Sequence, residues 1–210
     1  CSGFVYAMNL ANKFILSGDS KCALVIGAET LSRITDWEDR NTCVLFADGA
    51  GAAILKPSED PGIIYSKLGA NGAYSDLLYV PYGTSKRPLK EQRNDNFLQM
   101  KGNEVFKVAV KTLESIAKDS LKEVNMTSED IDWFIPHQAN IRIIQAVSKR
   151  LNIPEKKVII SLTDHGNTSA ASIPLALDQS IREGKIKTGD TVLLQSFGAG
   201  FTWGTVIIKI

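Results

Sequence analysis

The chain carries the same succession of elements twice. Cys1 opens a segment with apolar residues at helical spacing, Phe4, Tyr6 and Ala7, Leu10 and Ala11, Phe14 and Ile15, which stops at Ser17, Gly18 and Asp19. An apolar run from Ala23 to Gly27 follows, then Gly49, Ala50 and Gly51, then a strand pattern ending in Leu55 and Lys56. Far downstream, Asn167 and Thr168 open a second helical pattern that closes before Thr188, Gly189 and Asp190. Val192 to Phe197 then reads as a strand, and Gly198, Ala199 and Gly200 lead into a strand pattern ending in Ile208 and Lys209. A repeated helix–strand–strand succession predicts a duplicated α/β domain whose halves pack together, with only the second copy complete in this chain.

Pro57 and Pro61, with Ser58, Glu59 and Asp60 between them, form the clearest breaker cluster. Residues 1–57 are therefore read as the end of the N-terminal half and residues 58–210 as the C-terminal half. Within the first, Cys22 to Gly27 has the continuous apolar character of a strand buried on both faces, and Val44–Phe46 and Ala52–Leu55 read as further strands. Cys22 and Cys43, inside these runs, read as small core residues. In the second half, Ile63–Leu68 reads as a strand, and Gly83 to Asn96 as a long polar surface excursion. Phe106, Val110, Leu113, Ile116 and Leu121 mark an amphipathic helix. Thr127 and Asp130 resemble a capping pair before a strand at Trp133–Ile135. A helix from about Asn140 to Leu151, a strand at Val158–Ser161 and a helix from about Ser169 to Arg182 complete the reading.

Composition narrows the function. Lys and Arg total 24 against 23 Asp and Glu, a formal net charge of +1, which argues against nucleic-acid or polybasic membrane binding as the main task. No apolar run approaches the roughly 20 residues that cross a bilayer, and no basic-then-apolar leader opens the chain. Three cysteines without CxxC spacing fit neither a disulfide framework nor a zinc site, and point to the reducing cytosol. Gly49, Gly51, Gly198 and Gly200 lead into strand patterns with no Lys-Ser or Lys-Thr pair after them, so they are not phosphate loops.

Cys1 stands at a helix start, where amide groups and the helix dipole favour a thiolate. His137 and His165, the two histidines, both lie where a strand pattern stops, the region in which α/β proteins gather functional residues. A cysteine at one helix start, the amide of Asn167 at the equivalent point of the echo, and a histidine after a central strand form a convergent set. The order Cys, His, Asn also suits a papain-like hydrolase. That reading fails because Cys1 is followed by Ser2, Gly3 and Phe4, and the duplicated α/β pattern is foreign to that fold.

The segments Cys1–Ala11, Phe46–Leu55, Gly102–Val110, Pro136–Asn140, His165–Ser172 and Phe197–Gly204 closely resemble the β-ketoacyl-acyl carrier protein synthase III family, across essentially the whole chain. The PHQAN and HGNTSAAS segments are the most specific. The resemblance implies a thiolase-like duplicated fold in five layers, αβαβα, with the N-terminal part of the subunit outside this chain. On its own the segment is then expected to fold poorly, because the Cys22–Gly27 strand would lack cover. The resemblance implies decarboxylative condensation of a short acyl-CoA with malonyl-acyl carrier protein, and gives each residue its role. Cys1 is the nucleophile, and His137 and Asn167 are the enolate-binding donors. Backbone N–H groups of Cys1 and Ala199 form the oxyanion hole. Arg40 and Asn140 contact coenzyme A, and Leu45, Phe106 and Phe197 line the substrate pocket. Lys107, Arg142, Lys149 and Arg150 dock the acyl carrier protein. It further implies a cytoplasmic homodimer with neither cofactor nor metal, acyl-CoA entering as substrate and acyl-Cys1 as the covalent intermediate. A condensing enzyme of secondary metabolism is the alternative. A catalytically silent binding subunit is disfavoured by the joint presence of Cys1, His137 and Asn167.

Overall fold

A computed structural model describes residues 1–60, 62–81 and 97–210; the segment Gly83–Asn96 lies outside the described residues. The first helix, α1 (Gly3–Leu16), buries Phe4, Val5 and Met8, whereas Leu10 and Phe14, expected on its buried face, are exposed. It leads to β1 (Ala23–Glu29), which pairs antiparallel with β2 (Gly49–Leu55) from Ala23 opposite Leu55 to Glu29 opposite Gly49. The expectation of a strand buried on both faces is overturned. Val25 is 3% exposed, but Leu24 and Ile26 are 62% and 55% exposed, because side chains alternate across a strand and no described residue covers the outer face. The cysteines differ from expectation as well, Cys22 being exposed and Cys43 half-buried.

Val44–Phe46 forms no strand. The chain there is turned, and its backbone groups pair across to one residue: Ala47 N–H donates to Asn167 O at 2.9 Å and Asn167 N–H to Leu45 O at 2.9 Å. The breaker stretch after β2 joins it to β3 (Ile63–Ala70), the edge of a second sheet in which β3 is followed by β8 (Thr202–Lys209), β7 (Thr191–Gly198) and β6 (Trp133–Pro136). Only β6 and β7 run parallel. All eight residues of β7 are buried, the polar Thr191, Gln195 and Ser196 among them, as befits a central strand covered by helices on both faces. Val158–Ser161 also falls short of a strand. Val158 makes one bridge to Phe134, Ile159 N–H reaches Phe134 O at 2.9 Å, and Ser161 N–H is taken by the Gln138 side chain instead of a ladder partner. A two-residue ladder joins β4 (Leu78–Tyr79) to β5 (Gln99–Met100).

On one face of the larger sheet lie α2 (Gly102–Glu123) and α3 (Ile141–Arg150), whose Val110, Leu113 and Val147 meet Phe134, Leu193 and Ile207. After the single turn α4 (Leu162–His165), α5 (Ser172–Arg182) joins α1 on the other face, where Phe4, Val5, Ile173 and Ala176 meet Ile135, Leu194 and Val206. Each fully buried Leu, Ile or Phe contributes about 1.5–3 kcal/mol. Val25 belongs to this second core, so α1 and α5 are sandwiched between the two sheets. The described residues therefore form four layers, α2/α3, the larger sheet, α1/α5 and β1–β2. The echo is visible in space: α1–β1–β2 and α5–β7–β8 repeat one order with an antiparallel strand pair in each. No helix among the described residues is long and apolar enough to cross a membrane.

Candidate active site

Cys1 precedes α1 and is held through its neighbour. Ser2 Oγ donates to Thr202 O at 2.9 Å and accepts from Thr202 Oγ1 at 3.1 Å. The end of β7 passes so close that a Cβ on Gly198 would lie 2.8 Å from both Cys1 Cβ and Cys1 N, so only glycine fits. His137 follows the last residue of β6, its N–H donating to Gln195 O at 2.7 Å. Asn167 follows Gly166, whose φ of 65° turns the chain out of α4. These three segments bring Cys1, His137 and Asn167 to one cavity of about 70 Å³, which Leu45, Asn140 and Phe197 also line. A smaller void of about 20 Å³, bordered by His137, Phe197, Ile143 and Val147, lies beside it.

Burial lowers the His137 imidazole from 6.5 to about 3, so the ring is neutral near pH 7. Its Nδ1 lies 2.7 Å from Ser172 Oγ, which already accepts the Gln138 N–H at 3.2 Å. We assign the Ser172 hydroxyl as the donor to Nδ1, an assignment that leaves the ring proton on Nε2. Gln138 is buried with its amide fully engaged. Its Nε2 donates to Pro136 O at 2.7 Å and Ile159 O at 3.3 Å, and its Oε1 accepts from Ser161 N–H at 2.9 Å. The Asn167 amide is oriented by Ser169 N–H, which donates to its Oδ1 at 3.0 Å, while Nδ2 approaches Ala139 O at 3.4 Å. The arrangement presents one sulfur and two neutral N–H donors.

The remaining expected residues divide. Asn140 lines the cavity and also caps α3, accepting Ile143 N–H on Oδ1 at 2.9 Å. Phe106 does not line it; Val105, one residue earlier on α2, does, and Phe106 packs half-buried against the outer core. Ala199 is exposed beside Gly198, outside the cavity lining, and its N–H donates to no other group among the described residues. Arg40 lies exposed in the turn before Leu45, also outside the lining. Lys107, Arg142, Lys149 and Arg150 are exposed on α2 and α3, and Arg150 is paired with Glu114 at 2.7 Å. Glu29, Gln138, Ser169, Ser172 and Gly198 escaped the sequence reading as site residues. All but Glu29 sit inside the motif segments Pro136–Asn140, His165–Ser172 and Phe197–Gly204, and that placement was the available signal. No group of His, Cys, Asp and Glu able to hold a metal ion exists among the described residues.

Comparison with known proteins meets this geometry from outside. The description 3-oxoacyl-(acyl-carrier-protein) synthase III matches residues 1–72, and its C-terminal counterpart matches residues 121–210. The β-ketoacyl-(acyl-carrier-protein) synthase III of Thioalkalivibrio sulfidiphilus is 52% identical over 209 residues, covering 100% of this chain and 65% of the relative. The crystal structure of 3-oxoacyl-(acyl-carrier-protein) synthase III from Aquifex aeolicus superposes with a TM-score of 0.92 at 46% identity, covering 100% of this chain and 65% of that one. The priming β-ketosynthase of the R1128 polyketide biosynthetic pathway gives a TM-score of 0.91 at 35% identity, covering 100% and 63%. The chain thus spans a little under two thirds of the length of these relatives. Its layers are those of the thiolase-like fold, and both the N-terminal and C-terminal descriptions meet on one chain whose halves supply the cysteine, the histidine and the asparagine of a single cavity. The chain belongs to the 3-oxoacyl-(acyl-carrier-protein) synthase III family.

Proposed function

We propose that the protein condenses a short acyl-CoA, such as acetyl-CoA, with malonyl-acyl carrier protein to give a 3-oxoacyl-acyl carrier protein, initiating type II fatty acid synthesis. The observation that carries this reading is the convergence of Cys1, His137 and Asn167 on one cavity. Cys1 attacks the acyl thioester, coenzyme A leaves as the thiol, and the N–H groups of Cys1 and Ala199 hold the passing oxyanion. Malonyl-acyl carrier protein then loses carbon dioxide. The enolate oxygen is held by His137 Nε2–H and Asn167 Nδ2–H, and the enolate carbon attacks acyl-Cys1, freeing the sulfur. Each donor is worth about 3 kcal/mol. Neutrality of His137 supports this division, because an imidazole held near 3 donates a hydrogen bond without readily giving a proton that would quench the carbanion.

Coenzyme A would run from the cavity past Asn140, whose Nδ2 stays free of the cap, towards Arg40 at the adenine. Lys107, Arg142 and Lys149 would meet the acidic carrier protein, and Arg150 less directly, since Glu114 holds it. Chemistry rests on the acyl-Cys1 thioester and draws on no separate cofactor, and the reading extends to a cytoplasmic homodimer. A second reading, priming of a secondary-metabolite pathway, is favoured by the likeness to the R1128 priming ketosynthase.

The test is product analysis with a panel of acyl-CoA primers and malonyl-acyl carrier protein. The account expects carbon dioxide release and a 3-oxoacyl-acyl carrier protein, and expects Cys1→Ala to abolish the 3-oxoacyl product while His137 and Asn167 still support decarboxylation. Condensation that survives Cys1→Ala would contradict it. A requirement for a primer other than acetyl-CoA would favour the second reading.

A further inference from the structure

The hydroxyl of Ser169 stands between the Cys1 sulfur and a carboxylate. Ser169 Oγ lies 3.4 Å from Cys1 Sγ and 3.0 Å from Glu29 Oε1. The three residues come from the start of α1, the turn before α5 and the last position of β1. Ser169 is 5% exposed and has φ of 52°, the left-handed region that serine rarely adopts. Neighbouring bonds hold it there. Its N–H is taken by Asn167 Oδ1 at 3.0 Å, and Ala170 N–H donates to Glu29 Oε1 at 3.3 Å. Gly27 makes the approach possible, since a Cβ there would overlap the Ala170 carbonyl and push β1 away. A strained serine, held by a carboxylate against the nucleophile, is a costly arrangement for packing alone.

Proton accounting sets the direction of the bonds. A hydroxyl has one proton, and an ionised carboxylate only accepts. The Ser169 proton therefore lies on the Glu29 side, and the Oγ lone pair facing Cys1 accepts the thiol S–H. We propose that Ser169 and Glu29 relay the thiol proton away from Cys1. The S–H bond breaks as its proton passes to Ser169 Oγ, while the Ser169 O–H proton passes to Glu29 Oε1. The proton leaves as the sulfur attacks its electrophile, so the products are a Cys1 sulfur bonded to that electrophile, a serine hydroxyl, and a neutral Glu29 carboxyl donating to Ser169 Oγ, with no free thiolate accumulating beside the carboxylate. No net charge is created. After acylation the half-buried Glu29 returns its proton to solvent, and the departing coenzyme A thiolate takes one up, so the transfer balances. Ser169 touches the reacting sulfur and is catalytic; Glu29 acts through it as a positioning residue and proton acceptor.

The inference rests on Cys1 being the nucleophile of the proposed function, and on no particular acyl substrate. Titratable groups around the array, among the described residues, are few. They include Asp48, beside the Glu29 strand partner Gly49 and bonded to Ser32, and His137 in the same cavity, bonded to Ser172.

Alkylation by iodoacetamide, read on the Cys1 peptide by mass spectrometry between about pH 5 and about pH 9, tests the relay without any acyl substrate and separates Cys1 from the exposed Cys22. Glu29→Gln keeps an acceptor oxygen and the shape of the side chain but cannot take the proton. The relay requires the Cys1 rate near about pH 6 to fall about tenfold or more in this variant. Ser169→Gly, which fits the positive φ, should give the same fall, and the double variant no greater one. A bystander carboxylate requires the opposite, because removing a negative charge beside a thiol favours the thiolate and speeds alkylation. An unchanged or faster rate in Glu29→Gln overturns the proposal. Failure to use any acyl primer, with the Cys1 profile still dependent on Glu29, would sink the proposed function and leave the relay intact.

Discussion

The protonation of His137 links stability to pH as well as setting its role as a donor. In the folded chain the ring takes up a proton only near pH 3, whereas the unfolded chain does so near 6.5. Between these values the unfolded state binds the extra proton, so the stability from keeping His137 neutral is complete above 6.5 and falls away as pH drops toward 3. From about pH 7 to about pH 5 this one residue should account for about 2 kcal/mol of lost stability. Urea unfolding of the protein and of His137→Gln at both pH values checks it: the parent should lose about 2 kcal/mol more than the variant. Equal losses would mean the ring is accessible to protons. At this scale the sequence identified Cys1, His137 and Asn167 as a set, and the structure places them together. It could not show Ser169 or Glu29, because the bonds from Ser169 to Glu29 and Cys1 join residues 140 and 168 positions apart. Phe106 was one residue out of phase, since Val105 faces the cavity on the same helix turn.

Helices were the most legible elements, and short edge segments the least. The 3.6-residue rhythm marked α2 and α3 because one face of each meets the larger sheet. Val44–Phe46 and Val158–Ser161 have strand composition, yet their backbone groups are satisfied by Asn167 and by the Gln138 side chain, partners that composition does not encode. At α3 the charge pattern yields a prediction. Arg142 and Lys149 lie two turns apart on the same face and are exposed, whereas Arg150 is committed to Glu114 at 2.7 Å. Arg142→Glu combined with Lys149→Glu should raise the KM for malonyl-acyl carrier protein about tenfold or more, flatten its salt dependence, and leave the KM for acyl-CoA nearly unchanged. Arg150→Ala should have the smaller effect. Initial rates with each substrate varied decide the matter, and equal effects on both substrates would reduce the patch to a solvated helix face.

Across the whole molecule, the duplication divides the labour of the site. The copy α1–β1–β2 contributes Cys1 and Glu29, while the larger sheet and its helices contribute His137, Asn167, Ser169 and Gly198. Leu24, Ile26 and Ile54 on the outer face of β1–β2 stay exposed among the described residues, so four of the five αβαβα layers are present there. The duplicated order was readable in the sequence because both copies end in a glycine-flanked strand, but the alternating burial of β1 was not, since its apolar residues are continuous on both faces. The central claim is that one half supplies the acyl-accepting sulfur and the other the groups that hold the enolate. Asn167→Ala separates them. Peptide mass spectrometry after addition of acyl-CoA, and again after malonyl-acyl carrier protein, reads the acyl group on Cys1 directly. The account predicts that the parent protein acylates Cys1 and discharges it, and that Asn167→Ala acylates Cys1 within about tenfold of the parent rate but discharges it about 10²–10³ times more slowly. An acyl group on another residue, or acylation and discharge impaired equally in a folded Asn167→Ala protein, would contradict it.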